Sequence, residues 1–414
     1  MDQNTWETLY RKIKFFSIAN LMFFVRLYDD LIILLGYILP SSHIKWLRIK
    51  KINDSHNISH GDNVCIFVIY EREIIPKMTL DALVSIKKMG IKLFVVVNSR
   101  LNEDNELKVK QLSDISMFRN NRGKDVGAYK DCFLYLHDKG YLKNVNRLIF
   151  ANDSVVYPKE HIFDLFSSLI DGETNLIGYS HVQEIHYHIQ SFLFSCDNLL
   201  LNDSKFIKFW KDYIPVGRRR HMIKKGEVGI TKAVIKCSKS ISTINDLSIL
   251  LSHAQQHFNL IDITEILLSL PTKDIPKIQL NALNDLVNNA TNALTDRIKN
   301  LRVEVTPELL KSILTDVDIN NTYVNKVFVF NLLLFLVPKN NTHWNTFIFL
   351  KCGMKVVIKR DSSIRGGYDH DIFKGLLLKY FDSEEALRIM AMIKSPSASH
   401  LKGISRIMFE HGVI

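Results

Sequence analysis

Cysteine is scarce in this chain: Cys65, Cys132, Cys196, Cys237 and Cys352 are the only five in 414 residues. They are odd in number, far apart, and lack the close spacing of a zinc site. They read as buried thiols of a protein kept in a reducing cytosol. The opening Met1-Asp2-Gln3-Asn4-Thr5-Trp6-Glu7 has no basic n-region and no cleavage pattern, which argues against a secretory signal. Internal repeats, low-complexity tracts and heptad runs are also missing. The first strand-like run is not followed by a Gly-x-Gly-x-x-Gly turn, which sets aside a Rossmann dehydrogenase.

The rest of the composition is that of a globular protein, 47% apolar and 23% charged, long enough for two domains. A formal net charge of +11 favours an anionic partner: nucleic acid, an acidic membrane surface or a phosphorylated substrate. The basic residues are dispersed and carry no nucleic-acid-binding signature, so nucleic acid is not expected.

Residues 15–39 are the most apolar stretch and long enough to span a bilayer, yet Arg26, Asp29 and Asp30 interrupt it. A membrane-surface helix pair, a packed hairpin and a true span all fit. Surface association or packing is favoured, because Lys12, Lys14, Lys45, Arg48, Lys50 and Lys51 flank the stretch and suit anionic lipid. A polar linker follows over Asn53–Asn63. Val64–Tyr70 and Ile91–Val97 are continuous apolar runs of the buried parallel-strand kind, joined by a helix from Pro76 to Met89. Strand, helix, strand opens an α/β nucleotide-binding domain.

A third strand is expected over Ile115–Phe118. A helix from about Asp125 to Gly140 follows, with Asp125 a candidate N-cap and Gly127 a sign of close approach by ligand or backbone. Arg147–Ala151 is the next strand, ending in Asn152-Asp153-Ser154. A helix start holds anions, and a carboxylate at a strand's carboxyl end holds a cation or a sugar hydroxyl. Together they suggest a nucleotide-sugar site. His181, His186 and His188 invite a zinc reading, but only Glu184 lies near as a further ligand, so a pocket-lining strand is preferred. A helix over Ser204–Tyr213 has Phe206, Phe209 and Trp210 on its apolar side. Gly217–Lys225 is the one dense basic run, either a solvated loop or a diphosphate clamp. Glu227, at the next helix start, is a candidate general base or a first-turn stabiliser. From Ile241 onward the pattern is helical, with breaks at Pro271 and Pro276, an Asn-rich helix over Asn281–Lys299, and an apolar run at Val327–Val337.

The pieces Asn121-Arg122-Gly123-Lys124-Asp125-Val126-Gly127, Asn152-Asp153-Ser154, His188-Ile189-Gln190-Ser191, Phe209-Trp210 and Glu227-Val228-Gly229 resemble, in order and spacing, the rhamnan synthesis F family of bacterial polysaccharide glycosyltransferases. Asn341-Thr342-His343-Trp344 with Lys359-Arg360-Asp361 resembles that family's C-terminal signature. The loop and acidic turn also resemble GT-A glycosyltransferases, where an Asp-x-Asp turn holds a metal. Here Asp153 is that turn's one carboxylate, which leaves dependence on Mg²⁺ or Mn²⁺ open.

The resemblance implies an α/β fold, a GT-A-like nucleotide-sugar-binding domain whose mostly parallel sheet is flanked by helices, with mainly helical N- and C-terminal additions. The expected division is 1–60, 61–255 (catalytic) and 256–414. A sugar, rhamnose from dTDP-rhamnose in the first instance, would pass to a growing or lipid-linked surface polysaccharide. The protein would be cytoplasmic and peripheral to the inner face of the bacterial membrane. Arg119, Asn121, Arg122, Gly123, Asp125, Gly127, Asn152 and Ser154 would bind the donor, and His188 and Gln190 would line the sugar pocket. Arg218, Arg219 and Arg220 would hold diphosphate or lipid phosphate. Asp153 would meet the metal or donor sugar, and Glu227 would act as base. Two alternatives stay open: a non-catalytic scaffold of a polysaccharide assembly complex, and a sugar phosphotransferase.

Overall fold

The computed structural model describes residues 23–55, 58–182, 186–246, 342–362 and 370–393, with single positions at 20, 249, 252 and 253. Residues 15–19, Glu184, Pro271, Pro276, Asn281–Lys299, Val327–Val337 and Asn341, on which expectations were placed, lie outside the described residues.

In chain order, a helix over 23–38 (α1) and α2 (Pro40–His43) lead to β1 (Ile49–Asp54). There follow β2 (Val64–Ile69), α3 (Lys77–Lys88), β3 (Lys92–Val97), α4 (Glu103–Leu112), β4 (Ile115–Arg119), α5 (Lys124–Asp138) and β5 (Arg147–Asn152). Next are β6 (Val155–Val156), α6 (Lys159–Asp171), β7 (Leu176–Gly178), β8 (His181–Val182), β9 (His188–Ile189) and β10 (Leu193–Asp197). Helices α7 (Asn198–Leu201), α8 (Ser204–Asp212), α9 (Arg219–His221) and α10 (Val228–Lys236) precede β11 (Ile241–Thr243). The last described parts are α11 (Thr342–Lys351), β12 (Ile358–Lys359), α12 (His370–Tyr380) and α13 (Ser383–Met392).

Among the described residues, eight strands form one sheet in the order β1-β4-β3-β2-β5-β10-β7-β11. Pairing is parallel from β4 through β5, while β1 and β10 run against their neighbours. Successive side chains point to opposite faces, so a strand covered on both sides must be apolar throughout. Ile66, Val68, Phe94, Val96 and Phe150 face α5, α8 and α10, where Phe133, Trp210 and Val234 close the layer. Cys65, Phe67, Ile69, Val95 and Ile149 face α3, α4 and α6, where Leu83, Val109 and Leu165 close the other. Trp210 stacks on Phe133 at 5.4 Å and Phe150 at 5.8 Å between ring centroids. All five cysteines are buried and free. The result is a mixed α/β fold with a large, mostly parallel central sheet flanked by helices.

Some local expectations change. Residues 49–54 are an edge strand of the main sheet rather than helix and linker, since β1 pairs along the whole of β4. Ile241–Thr243 is a strand, parallel to β7, where a helical pattern was read. Helix α4 is additional; Asn102 caps it by accepting from the Asn105 amide at 2.9 Å. No described helix is long and apolar enough to cross a membrane.

From β2 the chain moves outward through β3 and β4, then returns to lay β5 on the other side of β2. Loops leaving the carboxyl ends of β2 and β5 therefore diverge, and the crevice between them is where open α/β sheets take ligands. Much later in the chain, β12 pairs with β6 just beyond that crevice, and α13 is tied to the α3 and α6 side by Arg388–Asp81 and by Lys159 N–Glu385 at 2.8 Å.

One buried ionic cluster holds the N-terminal segment, the end of β4 and α5 together. Asp131 of α5 accepts from Arg48 at 2.6 and 3.1 Å and from Arg119 Nε at 3.0 Å, all three residues being buried. Asp131→Asn would leave two buried guanidinium groups without their counter-charge. It is expected to cost roughly 3–5 kcal/mol of stability, read as a lowered midpoint in urea denaturation.

Candidate active site

The crevice is a cavity of about 330 Å³ lined from five directions. Tyr70 and Glu71 leave β2; Asn121, Lys124 and Asp125 come from the loop into α5; Asn152, Asp153 and Ser154 leave β5. Ser191, Phe192, Arg219, Met222 and Glu227 form the far wall, and Lys359, Arg360 and Asp361 cover it from the C-terminal segment. The loop before α5 and the acid after β5 thus share one cavity.

Asp153 is buried, and its Oδ2 accepts from the Tyr70 amide at 2.7 Å. Asn152 joins the two sides. Its Nδ2 donates to Asp125 Oδ2 at 3.2 Å, and its Oδ1 accepts from Ser154 N at 3.0 Å and Oγ at 2.6 Å. Burial is the main force on both acids, pushing Asp153 up to about 7 and Asp125 up to about 6. The Tyr70 amide and Arg360 pull Asp153 back down, while the charges of Asp125 and Glu71 push it up. Asp125 does not cap α5. The cap position is Gly123, in the left-handed region at φ 78°, and Asp125 sits in the first turn. Gly127 is required by backbone rather than by ligand: a Cβ there would stand 2.4 Å from the Arg122 carbonyl. Lys124 is itself left-handed at φ 52°, a conformation that costs a non-glycine residue energy and clusters at functional sites.

Glu227 closes a π-helical turn, Met222–Glu227, which runs straight into α10. Such turns recur at functional sites. Gly226 lets this turn press on Val126 of α5, where a Cβ would meet Val126 Cγ1 at 2.9 Å. Gly229 does the same for the ring of Phe209. The Phe209-Trp210 and Gly229 motifs are therefore packing devices that seat Glu227. Ser191 Oγ donates to Glu227 Oε1 at 2.6 Å, and His188 Nε2 lies 3.6 Å from Oε2. Nδ1 of His188 is 2.7 Å from the His186 carbonyl, which only accepts, so Nδ1 carries a proton. Burial works to raise the pKa of Glu227, but His188, Ser191 and the charge of Lys359 outweigh it and hold it below the usual glutamate value. Burial lowers that of Lys359, whose ammonium stands 3.9 Å from the centre of the Phe192 ring. Arg360 pairs with Glu71 and donates to the Asp153 carbonyl at 3.1 Å.

Of the residues expected to bind donor or act on it, Asn121, Asp125, Asn152, Asp153, Ser154, Arg219 and Glu227 line the cavity. The others are placed differently. Arg119 is buried on Asp131, on Asn98 at 2.7 Å and on the Arg122 carbonyl at 2.6 Å. Arg122 turns back to the Gly36 carbonyl at 3.0 Å and Ser42 Oγ at 2.7 Å. Gly123 and Gly127 shape the loop without lining the cavity. His188 stands behind Glu227. Gln190 accepts from Ser180 at 2.6 Å and from Thr342, anchoring α11. Arg218 and Arg220 turn to carboxylates on α1: Arg218 Nε meets Asp29 at 2.5 Å, and Arg220 meets Asp29 at 3.3 Å and Asp30 at 3.1 Å. Among the described residues no group of three His, Cys, Asp or Glu is arranged to hold a metal by protein ligands alone.

Glu71 and Phe192 joined the site only through topology, while Ser191, part of the His188–Ser191 motif, lines the cavity and donates to Glu227. The Lys359–Asp361 segment reaches it because Arg360 N donates to the Ser154 carbonyl at 3.2 Å, beside the β12–β6 pairing. His343 Nε2 meets Asp361, itself a lining residue, at 2.8 Å, so both halves of the C-terminal signature meet at the cavity wall.

The fold and cleft are those of an α/β protein with acids and cations gathered at a switch point. Residues 93–347 match the family described as rhamnan synthesis protein F, and the chain belongs to that family. The uncharacterized protein y4gN of Sinorhizobium fredii (strain NBRC 101917 / NGR234) is 23% identical over 174 residues, covering 41% of this chain and 45% of that relative. The match thus spans less than half the length of that curated relative.

Asp153 generates a pH prediction. Its folded pKa, raised to about 7, exceeds the unfolded value of roughly 4, so between these the native state binds more protons than the unfolded one. Stability therefore falls as pH rises through that window. Asp153→Asn removes the penalty. In metal-free buffer it should melt at least ~2 °C above the natural chain near about pH 8, with the gap closing towards about pH 4.

Proposed function

We propose that this protein is a glycosyltransferase with a GT-A-like nucleotide-sugar-binding domain. It would move a sugar from a nucleotide diphosphate donor to a hydroxyl of a growing or lipid-linked polysaccharide. The observation that carries the reading is the meeting of Asp125, Asn152 and Asp153 with Glu227 and four cations, one of them (Arg360) paired with Glu71, in one cavity at the switch point. The family's name makes rhamnose the first donor sugar to test.

The chemistry needs a sugar held, a leaving diphosphate neutralised and a proton removed. Lys124, Arg219 and Lys359 line the cavity and supply positive charge for the diphosphate as its bond to the anomeric carbon breaks. The N-terminus of α5 adds its backbone dipole. Asp153 and Asp125 fit a divalent cation. They are two carboxylates of one cavity whose raised pKa values show burial only partly compensated by cations. Mg²⁺ or Mn²⁺ held there would share the diphosphate's charge.

Glu227 is assigned as the base. Its lowered pKa keeps it ionised and ready to accept a proton. A weak base suffices, because the acceptor hydroxyl becomes acidic as its oxygen bonds to the anomeric carbon. His188 and Ser191 orient its carboxylate. The acceptor's proton goes to Glu227 and the bonding pair leaves with the diphosphate.

The test is a thermal-shift screen of nucleotide sugars, dTDP-rhamnose first, with and without Mn²⁺, followed by a transfer assay. A bound donor raises the melting temperature. Asp153→Asn should abolish the metal-dependent part of that rise. Glu227→Gln should keep donor binding and lose about 100-fold or more in turnover. A screen in which no nucleotide sugar stabilises the protein rejects the assignment, as does a phosphodiester in the product.

A further inference from the structure

Helix α1 is amphipathic in an inverted sense. Its inward stripe, Val25, Asp29 and Gly36, contains a fully buried carboxylate. Arg218 and Arg220 hold Asp29 from one side. At the other end Gly36 admits Val216, where a Cβ would stand 2.6 Å from Val216 Cγ1, and Arg122 Nη2 donates to the Gly36 carbonyl at 3.0 Å. Tyr37 adds a hydrogen bond to His221 Nε2 at 2.8 Å. These attachments determine which way the rest of the helix faces.

What faces outward is apolar. Phe24, Leu27, Leu31, Leu34 and Ile38 are exposed, Ile38 by 71%, and Trp46 beyond the helix by 74%. The solvent side of an ordinary surface helix is polar, and a contiguous apolar face of this kind marks an interaction site. Alongside it lies an apolar groove of about 590 Å³ formed by Ile32, Leu35, Leu39 and Val216 among others. The charged groups nearest the face in sequence are mainly basic: Arg26, Lys50 and Lys51 are exposed. The two acids on the helix, Asp29 and Asp30, are both met by arginine. Apolar residues flanked by cations and aromatic rings suit the headgroup region of an anionic bilayer. A second copy would bring the same basic rim and a net charge of +11 against its like.

We propose that the outward face of α1, continued by Trp46, docks on an anionic lipid bilayer with the helix lying in the plane of the headgroups. Docking would set the cavity's position as well. Arg218 grips α1 while the next residue, Arg219, lines the cavity; Arg122 grips α1 while Asn121 and Lys124 line it. On the reading that the acceptor is lipid-linked, this brings the cavity to the surface where the acceptor is carried.

The experiment is co-sedimentation of the full chain with vesicles of phosphatidylcholine alone or mixed with phosphatidylglycerol, together with tryptophan emission. The natural chain should bind the mixed vesicles at least about tenfold better than the neutral ones. A Leu34→Asp, Ile38→Asp double variant should lose at least about tenfold in vesicle binding while keeping its far-ultraviolet circular dichroism. A blue shift of emission on binding should be absent in Trp46→Phe. Unchanged binding by the double variant, or failure of the natural chain to sediment with either vesicle, would overturn the proposal. So would a natural chain that is dimeric without lipid and made monomeric by the double variant. Donor binding is measured in solution without vesicles, so a failure here stands apart from a failure of the sugar-transfer reading.

Discussion

A single buried carboxylate governs the shape of the cleft. Asp131 lies in the middle of α5 and binds two buried guanidinium groups, one from the segment before β1 and one from the end of β4. Each reaches further. Arg48 holds the carbonyls of Ser41 and Ser42, so it fixes α2. Arg119 holds the carbonyl of Arg122, the same carbonyl that leaves room only for glycine at position 127. The left-handed turn through Gly123 and Lys124 follows from those constraints. Two cations on one anion also leave net positive charge behind the N-terminus of α5. That charge reinforces the dipole at the end where an anion would sit.

The cavity itself is electrostatically mixed. Asp125, Asp153 and Glu227 share it with Lys124, Arg219, Lys359 and Arg360. Asp153 is buried and Asp125 and Glu227 are half-buried, and their contacts separate their behaviour. Asp125 and Asp153 are pushed towards neutrality, whereas Glu227 is kept ionised by His188, Ser191 and Lys359. Acids driven in opposite directions within one site are consistent with the roles proposed above for Asp153 and Glu227.

The four central strands were legible because both their faces are covered, which forces continuous apolar runs such as Val64–Ile69. Asp153, Asn121 and Asp125 were legible as cavity residues because they follow the carboxyl ends of such strands, whereas Arg119, Arg122, Gly123 and Gly127 of the same stretch serve packing and backbone. The switch point was not. Strand order depends on where β5 returns, and local sequence carries no sign of that. Arg218 and Arg220 mislead for a related reason. A dense basic run reads as an anion clamp until its partners appear, here carboxylates 189 to 191 positions earlier. Strand β11 was read as helix because three half-buried residues carry too little pattern to show a period. Arg119 was expected to bind the donor, and only packing shows that it is buried on Asp131 instead.

The pairing of β12 with β6 has a consequence for biosynthesis. Every described strand of the central sheet is encoded before residue 244, but Lys359 and Arg360, which roof the cavity, arrive more than a hundred residues later. During translation the sheet can therefore assemble while its acids still lie open to solvent, with less to raise their pKa values. Closure of the cavity would come as a separate, late event, when a two-residue strand settles beside β6. A shortened product ending before residue 358 would lack the roof and also the ties of α13 to α3 and α6.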